Sequence, residues 1–133
     1  RVPAEGVDLL VLEGDSGNAL AFGPGRALAS ATLGSAGLAV IGGHRDTHFQ
    51  FLQYLRPGRH LQLQLADGSW RTYRVAQTAV ADTRTQSLAR NNTQEMLLLV
   101  TCYPFDALWA NGPLRYVVTA LPVVSPADTA QPG

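Results

Sequence analysis

The alternating segment HLQLQL (60–65), with ADGS (66–69) and WRTYRVAQTAVA (70–81) after it, most restricts the fold of this chain. Leucines and glutamines alternate in the first segment, so a strand there would have one apolar and one polar face. Asp-Gly is a frequent signal for a hairpin turn. The three segments therefore predict a β-hairpin that packs one face against a core.

Further short apolar segments, separated by glycine and proline, predict additional strands. They are VDLLVL (7–12), ALAF (19–22), GLAVIGG (37–43), MLLLVT (96–101) and RYVVTALPV (115–123). The segment 47–55 has a helical pattern, and 83–91 is either a single turn or a loop. Seven or so short strands with turn residues between them predict a mainly β protein, closed or nearly closed into a barrel.

Length and composition limit the function classes. The chain has 133 residues, is 46% hydrophobic and carries ten acidic and ten basic side chains. It is long enough for one core, and its zero net charge argues against nucleic-acid binding. No apolar run approaches the roughly 20 residues that span a bilayer. Because the first residue is Arg1, we expect a trimmed chain without its N-terminal anchor, with one folded domain over 1–124 and a flexible tail over 125–133.

Cys102 is the only cysteine, and it directly follows the apolar segment 96–101. A lone cysteine is often a buried structural residue. A thiol at the end of a strand can also be a nucleophile, provided that a base or a cation lies beside it. Three histidines are available as that base.

His44 ends a buried strand, which is the same kind of position as that of Cys102. His60 begins an amphipathic strand, and we expect it to be exposed and without a role. The spacing of His44 and His48 could present two imidazoles to a metal, but HRDTH lacks the glutamate of the H-E-x-x-H zinc motif. We therefore predict no metal site. Asp46 could orient a histidine or cap a turn.

Arg115 opens the last predicted strand. Most arginines form ordinary surface ion pairs. If the strands 96–101 and 115–121 pair, however, Arg115 lies near the thiol. Its planar, permanently charged guanidinium could then hold an oxyanion or a substrate carbonyl.

Three motifs together resemble the sortase family, and most closely its class D-like group. They are GHRDTHFQFLQYLRPG (43–58), LLLVTCYPF (97–105) and PLRYVV (113–118), and they occur in the family's order. The resemblance extends over about residues 5–122. It implies a single sortase-type β-barrel of about eight strands with short helices in the connections.

The resemblance also implies roles for individual residues. By position in the motifs, His44 is the catalytic histidine, Cys102 the nucleophile and Arg115 the essential arginine. Thr101 corresponds to a threonine that supports the substrate or the oxyanion. Asp46 and His48 belong to the motif as secondary residues.

A sortase is implied to be a cysteine transpeptidase on the extracytoplasmic side of the membrane. It cleaves a Leu-Pro-x-Thr-Gly-like sorting signal between threonine and glycine, holds the threonine as a thioester and passes it to an amine. The acceptor would be a peptidoglycan precursor or a pilin lysine, and the membrane contact would come from the N-terminal anchor. No cofactor is required, while calcium dependence is left open.

Two other classes of function remain as alternatives. A β-barrel that only binds ligands could keep the fold, but it would not need His44, Cys102 and Arg115 together. A papain-like hydrolase normally has its cysteine before its histidine, and this chain has the reverse order. Hydrolysis by the sortase scaffold itself is also open, because a thioester can react with water.

Overall fold

The computed structural model describes residues 1–14, 24–26, 30–44, 48–82, 84, 94–103 and 113–123. Within these ranges the strands are β1 (Leu12–Glu13), β2 (Gly25–Arg26), β3 (Leu38–Gly42), β4 (His60–Gln64), β5 (Trp70–Asp82), β6 (Met96–Cys102) and β7 (Leu114–Pro122). Two short 3₁₀ helices cover Pro3–Glu5 and Gln50–Tyr54. The predicted strand at 19–22, the segment 85–91 and the tail 125–133 lie outside the described residues.

All seven of these strands belong to one sheet, in the order β1-β2-β3-β6-β7-β5-β4. β3 and β6 are parallel, whereas β7 is antiparallel to both of its neighbours, β6 and β5. The mainly β prediction is confirmed. The first predicted strand is shorter than expected, because only Leu12 of the segment 7–12 lies in β1, while Val7 pairs with Val2 in an isolated bridge.

The predicted hairpin is present as β4 and β5, in an antiparallel ladder. Leu61 and Leu63 are buried, as their alternation with glutamines predicts. In the turn, the Asp67 carboxylate accepts hydrogen bonds from the Ser69 amide at 2.9 Å and the Ser69 hydroxyl at 2.6 Å. These bonds, the hydroxyl first, lower the pKa of Asp67. Gly68 takes a φ of +88°, which disfavours a side chain at this position.

The predicted helical segment 47–55 contains the five-residue 3₁₀ helix Gln50–Tyr54. Leu52 and Leu55 are fully buried, and the Leu55 amide donates to the Leu52 carbonyl at 3.2 Å. The segment thus turns the chain while it delivers two leucines to the core. No helix in the described part of the chain is long and apolar enough to cross a membrane.

The sheet curls around an apolar interior. We call this interior the inner cluster; its strand residues are Ala39, Ile41, Leu61, Leu63, Tyr73, Val75, Leu97, Leu99, Val118 and Ala120. A small cavity of about 50 Å³ is lined both by Val7, Leu9 and Val11, next to β1, and by Leu61 and Leu63 of β4. These are the two edges of the sheet, so the sheet wraps back on itself as in a nearly closed barrel. Arg1 and Gln62 exchange two backbone hydrogen bonds of 2.8 Å at that junction.

The opposite face of the same strands carries a second apolar group, which we call the outer cluster. It consists of Leu38, Ala81, Leu98, Val100 and Val117, with Val40 and Met96 packed against it. Burial on both faces explains why β3 and β6 are nearly continuous apolar runs without polar alternation. The candidate functional site lies at the end of these strands, directly beyond the outer cluster.

A buried polar group joins β5 to the start of β6. Tyr73, only 1% exposed, donates its hydroxyl hydrogen bond to the Glu95 carboxylate. Arg71 forms a 3.0 Å ion pair with the same carboxylate and also donates to the Gly34 carbonyl at 3.2 Å. Burial, and then the bond to Glu95, raises the pKa of Tyr73 above its ordinary value. The group therefore ties three separate segments together at the end of the sheet.

Candidate active site

Cys102 is the last residue of β6 and lies directly opposite Arg115 in the antiparallel ladder with β7. Both residues are half-buried. The expected pairing of these two strands is confirmed, and it brings a thiol and a guanidinium-bearing residue together. The strand also ends at the thiol, as the motif predicts.

His44 lies two residues beyond the end of β3. The parallel register pairs Gly42 with Val100, and the Gly43 amide extends this ladder by donating to the Val100 carbonyl at 3.2 Å. Continued to the next residues, the register sets His44 level with Cys102. The positions of Cys102 on β6 and Arg115 on β7 therefore form one row with His44, which lies just beyond the end of β3.

The row also shares one face of the sheet. Alternate residues of β3, β6 and β7 form the outer cluster. Because side chains alternate along a strand, Cys102 and Arg115 are the next positions on that face, and His44 is the next one beyond β3. His44 is exposed, so its imidazole is accessible to a substrate or to solvent.

The guanidinium of Arg115 is held by a backbone carbonyl of its own strand. Its Nη1 donates to the Leu114 carbonyl at 2.9 Å, and the Tyr103 amide donates to the same carbonyl at 3.1 Å. The hydrogen bond from the Tyr103 amide extends the pairing of β6 with β7 by one residue beyond Cys102. A permanent cation next to a thiol can stabilise the thiolate and any oxyanion that its attack creates.

Thr101 is buried, with 2% of its surface exposed, and its side chain lies on the face opposite to Cys102. Its hydroxyl donates a 2.7 Å hydrogen bond to the carbonyl of Gly43. The predicted contact of Thr101 with a substrate or oxyanion stays a prediction. The bond in the structure connects β6 to the residue that precedes His44.

His48 and His60 are not part of this row. His48 is half-buried, and its Nδ1 is a buried atom without a hydrogen-bond partner among the described residues. His60 is exposed on β4, at the edge of the sheet, as expected. Asp46 lies outside the described residues. Within the described ranges, no three side chains of His, Cys, Asp or Glu are grouped so that they could hold a metal ion.

Sequence reasoning missed how Gly43 and Phe49 contribute to the site. A Cβ atom on Gly43 would lie 2.7 Å from two ring atoms of Phe49, so only glycine fits without a shift of the ring. The Phe49 amide also donates to the His44 carbonyl at 3.0 Å. Both residues are visible in the motif GHRDTHF, as a glycine just before the histidine and an aromatic residue five positions after it.

With the fold and the row of residues established, comparison with known proteins decides the family. The family model of the Sortase domain matches residues 1–123. The chain belongs to the sortase family. This match confirms the resemblance carried by the three motifs.

Individual sortases agree with this assignment. The chain is 33% identical over 119 residues to sortase D of Bacillus subtilis (strain 168), which is consistent with a class D-like member. That match covers 89% of the chain and 59% of the relative, so the chain spans less than two thirds of that protein's length.

Solved sortase structures share the fold. Sortase A of Corynebacterium diphtheriae matches with a TM-score of 0.80 at 23% identity, over 98% of this chain and 62% of that one. Sortase C of Clostridium perfringens, solved with the C-terminal cell wall sorting motif, matches with a TM-score of 0.79 at 20% identity, over 92% and 68%.

Proposed function

We propose that this sortase domain is a cysteine transpeptidase in which Cys102 is the nucleophile, His44 the general acid and base, and Arg115 the group that stabilises the oxyanion. The proposal is carried by the direct cross-strand pairing of Cys102 with Arg115, together with the β3–β6 register that, continued past the end of β3, sets His44 level with them. A thiol, an imidazole and a permanent cation are the groups that acyl transfer through a thioester requires.

In the first half of the reaction, the Cys102 thiolate attacks the carbonyl carbon of the scissile peptide bond. The resulting oxyanion is stabilised by the guanidinium of Arg115, which has no accessible neutral form and therefore does not transfer protons. The tetrahedral intermediate then expels the amine, which takes a proton from the His44 imidazolium. The products are a thioester on Cys102 and a free amino terminus.

In the second half, an acceptor amine attacks the thioester carbon. Neutral His44 takes the proton that the amine loses, and the Cys102 thiolate leaves as the new amide forms. Water in place of the amine would give hydrolysis. The imidazole is thus returned to its starting protonation state at the end of each cycle.

The proposed substrate is a protein that carries a Leu-Pro-x-Thr-Gly-like sorting signal, cleaved between threonine and glycine. The acceptor is an amine of the cell envelope or of a pilin subunit. Membership of the sortase family supports this choice, and so does the sorting motif that accompanies the similar C. perfringens structure. We place the enzyme at the cell envelope, on the extracytoplasmic side of the membrane.

The decisive test is mass spectrometry of products from a library of sorting peptides, incubated with the domain and a panel of amines. A peptide–amine amide that forms with the wild-type domain, and not with Cys102→Ala, supports the proposal. Products that contain only water-derived carboxylates would mean a hydrolase. No cleavage of any peptide in the library would refute both activities.

A further inference from the structure

We infer that Thr101, Gly43 and Phe49 are positioning residues that fix the backbone of His44 level with Cys102. We call these three residues the Gly43 clamp. The inference rests on the proposed function, because it explains how the acid–base group is held beside the nucleophile. It gives Thr101 a role toward the histidine, and not toward the substrate.

The first component of the Gly43 clamp is the hydrogen bond from the Thr101 hydroxyl to the Gly43 carbonyl, at 2.7 Å. Thr101 is the residue before Cys102, and Gly43 is the residue before His44. The bond therefore connects the end of β6 to the residue after β3, one position before Cys102 and His44, respectively. A β-branched side chain in a buried strand has few rotamers, so its hydroxyl is held in place.

The second component is the ring of Phe49, which packs against Gly43. The close approach that excludes a Cβ on Gly43 puts the ring directly beside the backbone of that residue. Phe49 is 3% exposed and belongs to the inner cluster, so the core fixes its position. The Phe49 amide also donates a hydrogen bond to the His44 carbonyl at 3.0 Å.

The two faces of the sheet thus have different roles: the inner face holds the Gly43 clamp, and the outer face carries the side chain of Cys102. The Gly43 clamp lies on the inner face, where core packing is dense and water is excluded. His44 follows in the register of Cys102, whose side chain points to the outer face. β3 ends at Gly42, so His44 itself lies outside the strand ladder.

The test uses the pH dependence of Cys102 alkylation by iodoacetamide, which needs no knowledge of the peptide substrate. A neighbouring imidazole changes the pH at which a thiol becomes reactive. His44→Ala defines the profile of the thiol without its partner. Thr101→Val removes the hydroxyl at nearly constant shape, Thr101→Ser keeps it, and Thr78→Val removes a half-buried hydroxyl from β5 as a control for the loss of any strand threonine.

We expect Thr101→Val to move the alkylation profile toward that of His44→Ala and to lower kcat for peptide cleavage about tenfold. Thr101→Ser and Thr78→Val should keep the wild-type profile. If His44→Ala moves the profile and Thr101→Val does not, the Gly43 clamp is refuted while the proposed function stands. If His44→Ala itself leaves the profile unchanged, there is no coupled pair, and both are refuted.

A double-mutant cycle between Gly43→Ala and Phe49→Leu tests the ring contact. Gly43→Ala alone should move the alkylation profile, because the new methyl group must displace the ring or the backbone of residue 43. Adding Phe49→Leu should restore part of the wild-type profile, since the smaller side chain leaves room for the methyl. Strictly additive effects would show that the ring does not hold Gly43.

Discussion

Arg115 faces Cys102 directly across the ladder of β6 and β7, so the backbone alone keeps their Cα atoms about 5 Å apart. A change of either side chain leaves this ladder intact. The chemistry of the pair can therefore be altered without dismantling the strand pairing that supports it. This separation of backbone and side-chain roles makes substitutions at the two positions informative.

Cys102→Ala should abolish cleavage of a sorting-signal peptide, because no other thiol exists in the chain. Cys102 is half-buried at a strand end, so its loss should change the free energy of unfolding by only about 1 kcal/mol. Peptide cleavage followed by chromatography, together with thermal unfolding, measures both quantities. Undiminished cleavage would remove Cys102 from the mechanism.

Arg115→Lys should lower kcat/KM about 10- to 100-fold, because a point charge replaces a planar fork of hydrogen-bond donors. Arg74→Lys provides the matched control, since Arg74 is exposed on β5 of the same sheet. Steady-state kinetics on one peptide substrate compares the two variants. Wild-type kinetics for Arg115→Lys would show that the guanidinium takes no part in the reaction.

His44→Ala should lower kcat by about 100-fold or more, the usual contribution of a general acid–base group. His48→Ala should be far milder, because His48 lies outside the row formed with Cys102 and no described residue forms a hydrogen bond with its buried Nδ1. The two variants are best compared by kcat over a range of pH. The reverse order of severity would assign the acid–base role to His48.

Tyr73→Phe should lower the free energy of unfolding by about 1.5 kcal/mol, because the Glu95 carboxylate loses the hydroxyl donor while its ion pair with Arg71 remains. Chemical denaturation of the two proteins at neutral pH measures the difference. An unchanged stability would mean that water replaces the hydroxyl at no cost.

The same tyrosine predicts a loss of stability at alkaline pH. The pKa of Tyr73 is raised in the folded protein, first by burial and then by the bond to Glu95, so the folded state holds its proton longer than the unfolded chain does. Its contribution is complete below about pH 10, where a free tyrosine ionises, and declines as the pH rises through the folded value. Stability curves above pH 10 should therefore fall less steeply for Tyr73→Phe than for the wild type.

Much of the fold is readable from local patterns. The alternation in 60–65 and the apolar run 96–101 predict β4 and β6 because side-chain period and burial are properties of a single strand. The segment 7–12 is apolar enough for a strand, yet only its last residue lies in β1, because a strand also needs a ladder partner. The tertiary fold determines which strands pair, and the sequence of a single segment does not reveal its partner strand.

The candidate site, too, could be predicted only in part from the sequence. That His44 and Cys102 each follow a buried strand could be predicted, but the register that sets them level could not. The partner of the Thr101 hydroxyl is likewise hidden in the sequence, because Gly43 lies 58 residues away. The contact of Phe49 with Gly43 is likewise not specified by the apolar spacing of 47–55.

The parallel pairing of β3 with β6 also has a consequence for biosynthesis. Strands so distant along the chain meet only after a long loop has closed, which costs chain entropy and makes such pairings slow to form. Until then the thiol of Cys102 has no imidazole of His44 beside it. If the proposed mechanism holds, the thiol becomes fully reactive only when the central strands have assembled, and folding intermediates are protected from premature acyl transfer.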